Sequence, residues 1–186
     1  RRVLGVYAHI NVTRAFGIPR LKEERATNLS GGITLRPFEN LSVTADGYFI
    51  RIKNRIVLTS QFPNSNAAVK DILAPFPGVS QAQFFANAVD TDTTGVDVVG
   101  DFSVDAGDGT LTLTAGANFT RTQVKRINIP RSLETRFSGN NAQLETFFFG
   151  RLARNRLEDS VPHQKATASV RYAIKGISAL ARANYY

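Results

Sequence analysis

The chain contains no cysteine, methionine or tryptophan, and only two of its 186 residues are histidine. Without cysteine there are no disulfides and no thiolate metal sites. His9 and His163 are isolated, with no paired ligands nearby, and read as polar wall or loop residues rather than metal ligands. No order of Ser, His and Asp stands out from the triples that so many Ser and Asp supply by chance, so nucleophilic catalysis is not indicated. No run of 18 apolar residues is present, which excludes a transmembrane helix. An initiator methionine and a signal peptide are also missing. The chain opens Arg1-Arg2-Val3-Leu4, directly in strand-like sequence, as a piece of a longer protein would.

What is present is a basic, moderately apolar sequence: 23 Lys and Arg stand against 15 Asp and Glu, a net charge of +8, with 42% hydrophobic residues. A positive surplus favours anionic partners, either nucleic acid or an anionic lipid surface, and a solvated basic surface is the competing account. Nucleic acid ranks behind the others, because the Lys and Arg are not interleaved with aromatics on a single sheet face as a stacking platform requires.

The pattern is clearest from Phe84 to Lys125. In the arm Phe84 to Asp105, Val96, Val98, Phe102 and Val104 share one face, and Asp97, Asp101, Ser103 and Asp105 the other. In the return arm Thr110 to Lys125, Leu111, Leu113, Ala115, Ala117 and Phe119 alternate with Thr110, Thr112, Thr114, Asn118 and Thr120. Ala106-Gly107-Asp108-Gly109 between them is a tight turn, not a phosphate loop, because no helix follows it. A period of two predicts two strands with one apolar and one polar face. Each is long enough for the 9–11 or so residues that a tilted strand needs to cross a bilayer.

Val3 to Thr13 reads as a further strand, with imperfect alternation. Arg20 to Arg25 is a charged loop, Ala26 to Arg36 a strand, and Pro37 to Asn40 a turn. Leu41 to Ile56 alternates in two phases, which predicts a bulge at Asp46-Gly47. Gln61 to Gln83, with Pro63, Pro75 and Pro77, reads as a long loop. Arg126 to His163 lacks alternation. Within it, Gln143 to Asp159 places Leu144, Phe147, Phe148, Leu152 and Leu157 near one stripe, the pattern of a short amphipathic helix weakened by Gly150. Lys165 to Ile174 and Ile177 to Tyr186 are strands around a Lys175-Gly176 turn.

These are seven strands in an antiparallel up-and-down meander. Tight turns at 37–40, 106–109 and 175–176 alternate with long connections, so all the tight turns fall at one end of the sheet. Short turns at one rim and long loops at the other is the layout of transmembrane β-barrels of the bacterial outer membrane.

At this point the sequence resembles the TonB-dependent outer-membrane receptor family, in the later part of its β-barrel domain. Leu21 to Gly32 (LKEERATNLSGG) is similar to that family's L-K-P-E-x-A-x-N-x-x-x-G, with Glu23 where proline is usual. Leu41 to Ile56 (LSVTADGYFIRIKNRI) resembles its L-x-x-T-x-D-x-Y-x-I-x-I-x-x-R-I strand, and Asn87 to Asp97 (NAVDTDTTGVD) its N-x-x-x-T-x-T-x-G-V-D. Pro162 and Lys165, followed by Tyr172, resemble its P-x-x-K…Y strand start. The resemblance implies a barrel of about 22 strands and a plug domain. It also implies uptake of a ferric siderophore, cobalamin or similar ligand with energy from TonB, at the outer membrane of a bacterial cell. On that basis residues 1–186 form a partial β-barrel domain; the plug domain, the TonB-contacting segment and the remaining strands lie outside them. No enzyme activity, cofactor or metal is implied. Siderophore-like ligand, TonB and outer-membrane lipid are the implied partners, and nucleic acid is not.

Two groups of residues carry candidate contacts. Arg151, Arg154 and Arg156, in an arginine-rich stretch over 121–156, suit lipopolysaccharide phosphates or an anionic ferric siderophore; a solvated helix face is the competing account. Tyr48, Phe49, Tyr172, Tyr185 and Tyr186, near strand ends, suit interfacial aromatic girdles, with ordinary packing as the alternative. Asp90 to Gly95 has the look of a calcium loop but lacks the later glutamate, and the strand reading accounts for it. The alternative function is a soluble antiparallel β-sandwich or small barrel acting as an anion- or carbohydrate-binding module. A single sheet with one uncovered apolar face separates the membrane wall from the sandwich.

Overall fold

Six strands form one sheet in the order β1-β2-β5-β6-β7-β8, a meander in which sequence neighbours are spatial neighbours. They are β1 (Arg25–Phe38), β2 (Leu41–Leu58), β5 (Phe85–Ala106), β6 (Gly109–Ile127), β7 (Gln164–Ile174) and β8 (Ile177–Tyr185). β3 (Phe62–Pro63) and β4 (Gln81–Ala82) make a separate short pair. Among the described residues there are also five helices: α1 (Val6–Ala15), α2 (Ala67–Leu73), α3 (Arg131–Arg136), α4 (Asn141–Phe149) and α5 (Arg151–Glu158). This is a computed structural model, and it describes residues 6–137 and 141–186. Among the described residues the second sheet has only two residues per strand, which leaves nothing for a sandwich to be built from.

The long strands have 18, 22 and 19 residues in β2, β5 and β6, well beyond the 9–11 or so that span a bilayer. The chain divides into two compact units, one of residues 1–26, 52–91 and 123–158, the other of 27–51, 92–122 and 159–186.

The second unit is the wall. Its β5–β6 hairpin is registered symmetrically about the Gly107–Asp108 bond. Thr93 meets Thr122 at 2.8 Å, Asn118 Nδ2 donates to Asp97 at 2.5 Å, Thr114 Oγ1 to Asp101 at 2.7 Å, and Ser103 meets Thr112 at 3.2 Å. These side chains can touch only from one face. Alternation therefore places Val96, Val98, Phe102, Val104, Leu111, Leu113 and Phe119 on the other, as the sequence predicts. Val96, Val104, Leu113 and Phe119 are exposed there, where a soluble protein would cover them. The registers of β6 with β7 and of β7 with β8 extend that apolar face through Val170, Ala168, Ala166, Ala181 and Ala183. They extend the polar face through Arg171, Thr167, Lys165, Arg182 and Asn184. The turns at Glu39-Asn40, Gly107-Asp108 and Lys175-Gly176 share one end of the sheet. In the last, Lys175 and Gly176 have φ of 46° and 85° between paired Ile174 and Ile177, the positive pair of a type I′ hairpin.

Several expectations are corrected. The strand expected over Val3 to Thr13 is the helix α1 from Val6 onward, and Val3 to Gly5 lie outside the described residues. Val12 and Phe16, four residues apart, are buried together, and that tertiary contact overrides local β-propensity. Among the described residues the strands of the main sheet thus number six, not seven, and its edges are β1 and β8. No bulge separates two phases at Asp46-Gly47. A Cβ on Gly32 would meet the Asp46 carboxylate and one on Gly95 the Tyr48 ring, while the Asn40 carbonyl takes the Ser103 N–H and Arg51 pairs with Asp92. All the β2–β5 contacts fit one register, so the apolar residues Tyr48 and Ile50 stand on the polar face. Tyr48 covers a glycine there and is not part of a lipid-facing girdle. Tyr172 takes the lipid-side place, its hydroxyl donating to the Ala106 carbonyl at 2.9 Å, and Tyr185 follows it through its pairing with Ala166.

The first unit holds the core. Phe16, Phe62, Val69, Val89, Leu133, Leu144 and Phe148 are buried in one cluster, and Phe62 has ring contacts with Phe16, Phe84, Phe137 and Phe147 at 5.3–6.4 Å. The 61–83 stretch read as loop holds α2, which Asn66 caps through the Val69 N–H at 3.2 Å. The single helix expected over Gln143 to Asp159 is two, α4 and α5, parted at Gly150. Gly150 N–H bonds Ser60 Oγ at 2.9 Å, and a Cβ there would run into the Thr146 carbonyl and Ser60.

Candidate functional site

Residues of three of the motifs quoted above, Leu21 to Gly32, Leu41 to Ile56 and Asn87 to Asp97, meet in the first unit at one polar junction. Asn87 lies at its centre: its Oδ1 accepts the Lys22 N–H at 2.7 Å, and its Nδ2 donates to the Lys22 carbonyl at 2.8 Å and the Asn54 carbonyl at 2.7 Å. Asn54 has a left-handed φ of 56°, so its backbone turns away from the ladder. Its N–H goes instead to Asp90 Oδ1 at 2.9 Å, which also accepts from Asn128 Nδ2 at 2.9 Å. Glu24, just before β1, takes the Ile56 N–H at 2.6 Å. Glu158, ahead of β7, does the same for the Val124 N–H at 2.7 Å. In each case a carboxylate accepts from a strand N–H distant in sequence and ties two segments together.

The sequence reading missed this role for Asn87, Glu24 and Asp90, although the spacing that carries the resemblance contained the signal. The calcium reading of Asp90 to Gly95 is answered by the same geometry. Asp90 holds backbone and amide donors, and Asp92 holds Arg51 through two bonds of 2.8 Å, so both carboxylates serve strands. Among the described residues no group of three His or acidic side chains is placed to hold a metal. His163 sits 3.6 Å from Asp159, and the side chain of His9 lies outside the described ones.

Asn87→Ala should lower stability by about 2 kcal/mol, the net worth of three hydrogen bonds partly replaced by water, and speed amide exchange at Lys22. Hydrogen exchange with a urea titration reads both. Unchanged exchange at Lys22 would show that the asparagine does not hold the junction.

The three arginines proposed as contacts share α5 but not a face. Arg154 leans on Glu158 at 3.6 Å, and Arg151 is exposed on the same side of the helix. Arg156 joins Leu152, Ala153 and Leu157 on the stripe facing a cleft whose other wall is the end of β2 from Val57 to Gln61, with Gln83. Phe49 and Arg51 form a separate aromatic–cation pair, the guanidinium 5.2 Å from the ring centroid.

Residues 5–186 match the family model described as TonB dependent receptor-like, beta-barrel. No curated protein is a significant match to the sequence. The match covers nearly the whole chain, and the sheet has the meander order, strand length and sorted faces that a barrel wall needs. The chain therefore belongs to the TonB-dependent receptor β-barrel family, whose members reside in the bacterial outer membrane and import ligands with TonB rather than catalyse reactions.

Proposed function

We propose that this chain is a partial β-barrel domain of a receptor that takes up a ferric siderophore, or a comparable anionic small ligand, with energy delivered through TonB. Six strands are too few for the roughly 22-stranded barrel of such transporters, so the plug domain and remaining strands belong to other parts of the protein. Arg151, Arg154 and Arg156 contact the ligand or lipopolysaccharide phosphates. The observation that carries the anionic choice is the gathering of three arginines on the eight-residue α5 in a chain of net charge +8. Guanidinium groups form paired, charge-assisted bonds with carboxylate and phosphate oxygens.

The test is uptake of radiolabelled ferric siderophores by cells carrying the full-length receptor, with and without TonB. TonB-dependent uptake that falls about tenfold when all three arginines become glutamine is the expected result. Uptake only of neutral ligands, or an unchanged rate in the triple variant, would reject the anionic reading.

A further inference from the structure

We infer that the polar face of β5 to β8 is a docking surface sorted by charge, which seats a folded segment with its acidic side on β7 and β8 and its basic side on β5. The charges on this face fall into columns. β5 carries Asp97, Asp101 and Asp105. The polar side of β6, from Thr110 to Thr122, has no charged residue. β7 and β8 carry Lys165, Arg171 and Arg182. Among the described residues neither charged column is neutralised. The aspartates bond Asn118, Thr114 and Thr110, which are uncharged. The ion pairs of the chain use none of these six side chains, and Arg171 meets the Ser178 hydroxyl at 3.5 Å.

Arg171 pairs with Leu180 and Ser169 with Arg182, so the two guanidinium groups are diagonal neighbours, at about 7–8 Å between strands. Like charges so placed repel, and carboxylates set against them remove the repulsion. Two observations select a protein surface over a small anion. Lys165 lies six residues from Arg171 on β7, about 20 Å along a strand, which a compact ligand does not bridge. Large apolar side chains also stand uncovered among the charges: Leu180 is 58% exposed and Val99 41%, with Val99 beside Gly116 on the same face. Apolar side chains set among charges of both signs suit a packed partner rather than water. Opposite charges on the two sides of β6 also admit that partner in one orientation only, since turning it about would set like charges together. The occupant is the plug domain of the receptor proposed above, so the inference rests on that reading and adds to it the charges by which the plug is oriented.

The test uses the full-length receptor in outer membranes, with photoreactive benzoylphenylalanine replacing Leu180 or, separately, Leu113 on the apolar face. After irradiation and digestion, position 180 should be joined to a plug peptide rich in Asp and Glu, and position 113 to no plug peptide. Crosslinking of position 180 only to another wall strand, to a separate protein or to a plug peptide with a basic surplus overturns the inference. Arg171→Glu with Arg182→Glu should raise the rate at which proteinase K cuts the plug about tenfold, whereas lysine at both positions keeps the charge and should change it less than about twofold. Lysines in place of the acidic residues of the crosslinked peptide should restore protection to the glutamate variant. Equal loss with lysine and glutamate, or no restoration, overturns the charge sorting. The shift between unheated and boiled samples checks that each variant has a folded barrel, and the position 180 crosslink decides the matter if the glutamate variant does not. Loss of ferric siderophore binding with an unchanged plug assigns the arginines to the ligand and overturns the docking surface. Failure of the crosslink in a receptor that still imports ferric siderophore defeats this inference and not the transport reading. The expected crosslink in a receptor that imports none upholds it and defeats the choice of ligand.

Discussion

Phe62→Ala is expected to cost about 3–5 kcal/mol, the range for truncating a fully buried phenylalanine whose surroundings cannot collapse into the space. Phe62 is entirely buried. It is the ring through which Phe16, Phe84, Phe137 and Phe147 are joined, the first of them at 5.3 Å. Those partners come from the end of α1, the start of β5, the end of α3 and from α4, so the cavity opens where four separate segments meet. Its backbone is pinned by pairing with Ala82, which limits relaxation. The lesion should be local to the first unit. Limited trypsin digestion of the receptor in native membranes should show new cleavage after Arg131, Arg136, Arg151 and Arg154. The electrophoretic shift between unheated and boiled samples, which reports the folded barrel, should persist. Trypsin resistance equal to the parent protein would mean that the phenylalanine cluster does not hold these helices together.

Leu113→Arg is the second large effect, at about 2–4 kcal/mol if the residue faces the bilayer midplane. Leu113 lies on the face opposite the Thr114–Asp101 and Asn118–Asp97 bonds, across from Val170, and is 38% exposed. An arginine there must pull its charge from hydrocarbon toward an interface. Asp101→Asn, on the polar face, keeps an acceptor for Thr114 and should change stability by under about 1 kcal/mol. Folding of the full barrel into vesicles, titrated with guanidinium, measures both. If Asp101→Asn proved the costlier, the faces would have to be exchanged.

The strand faces were legible because side chains alternate with a period of two and the hairpin from Phe84 to Lys125 keeps that period almost unbroken. The three tight turns were legible because short polar or glycine-bearing breaks part the alternating runs, with Gly107 and Gly176 at positive φ in two of them. Phase changes were not. Tyr48 and Ile50 looked like an apolar face resuming after a bulge, yet Gly95 leaves a gap on the polar side that the Tyr48 ring fills. That gap belongs to the neighbouring strand, so no window on β2 could reveal it.

The sequence by itself determined much of the wall: which residues of the Phe84 to Lys125 hairpin share a face, and where the chain turns back. These depend on residues near one another in the chain. The tertiary structure decided the rest. Val6 to Ala15 became a helix because Val12 and Phe16 are drawn into a core with Phe62 and Phe84. Gln143 to Asp159 broke at Gly150 because Ser60, 90 residues away in sequence, sits against it. Asn87 became the hub of a junction because Lys22 and Asn54 converge on it. Each of these outcomes rests on a partner distant in sequence, and local propensities of a few tenths of a kcal/mol per residue give way to burial and hydrogen bonds worth one or more.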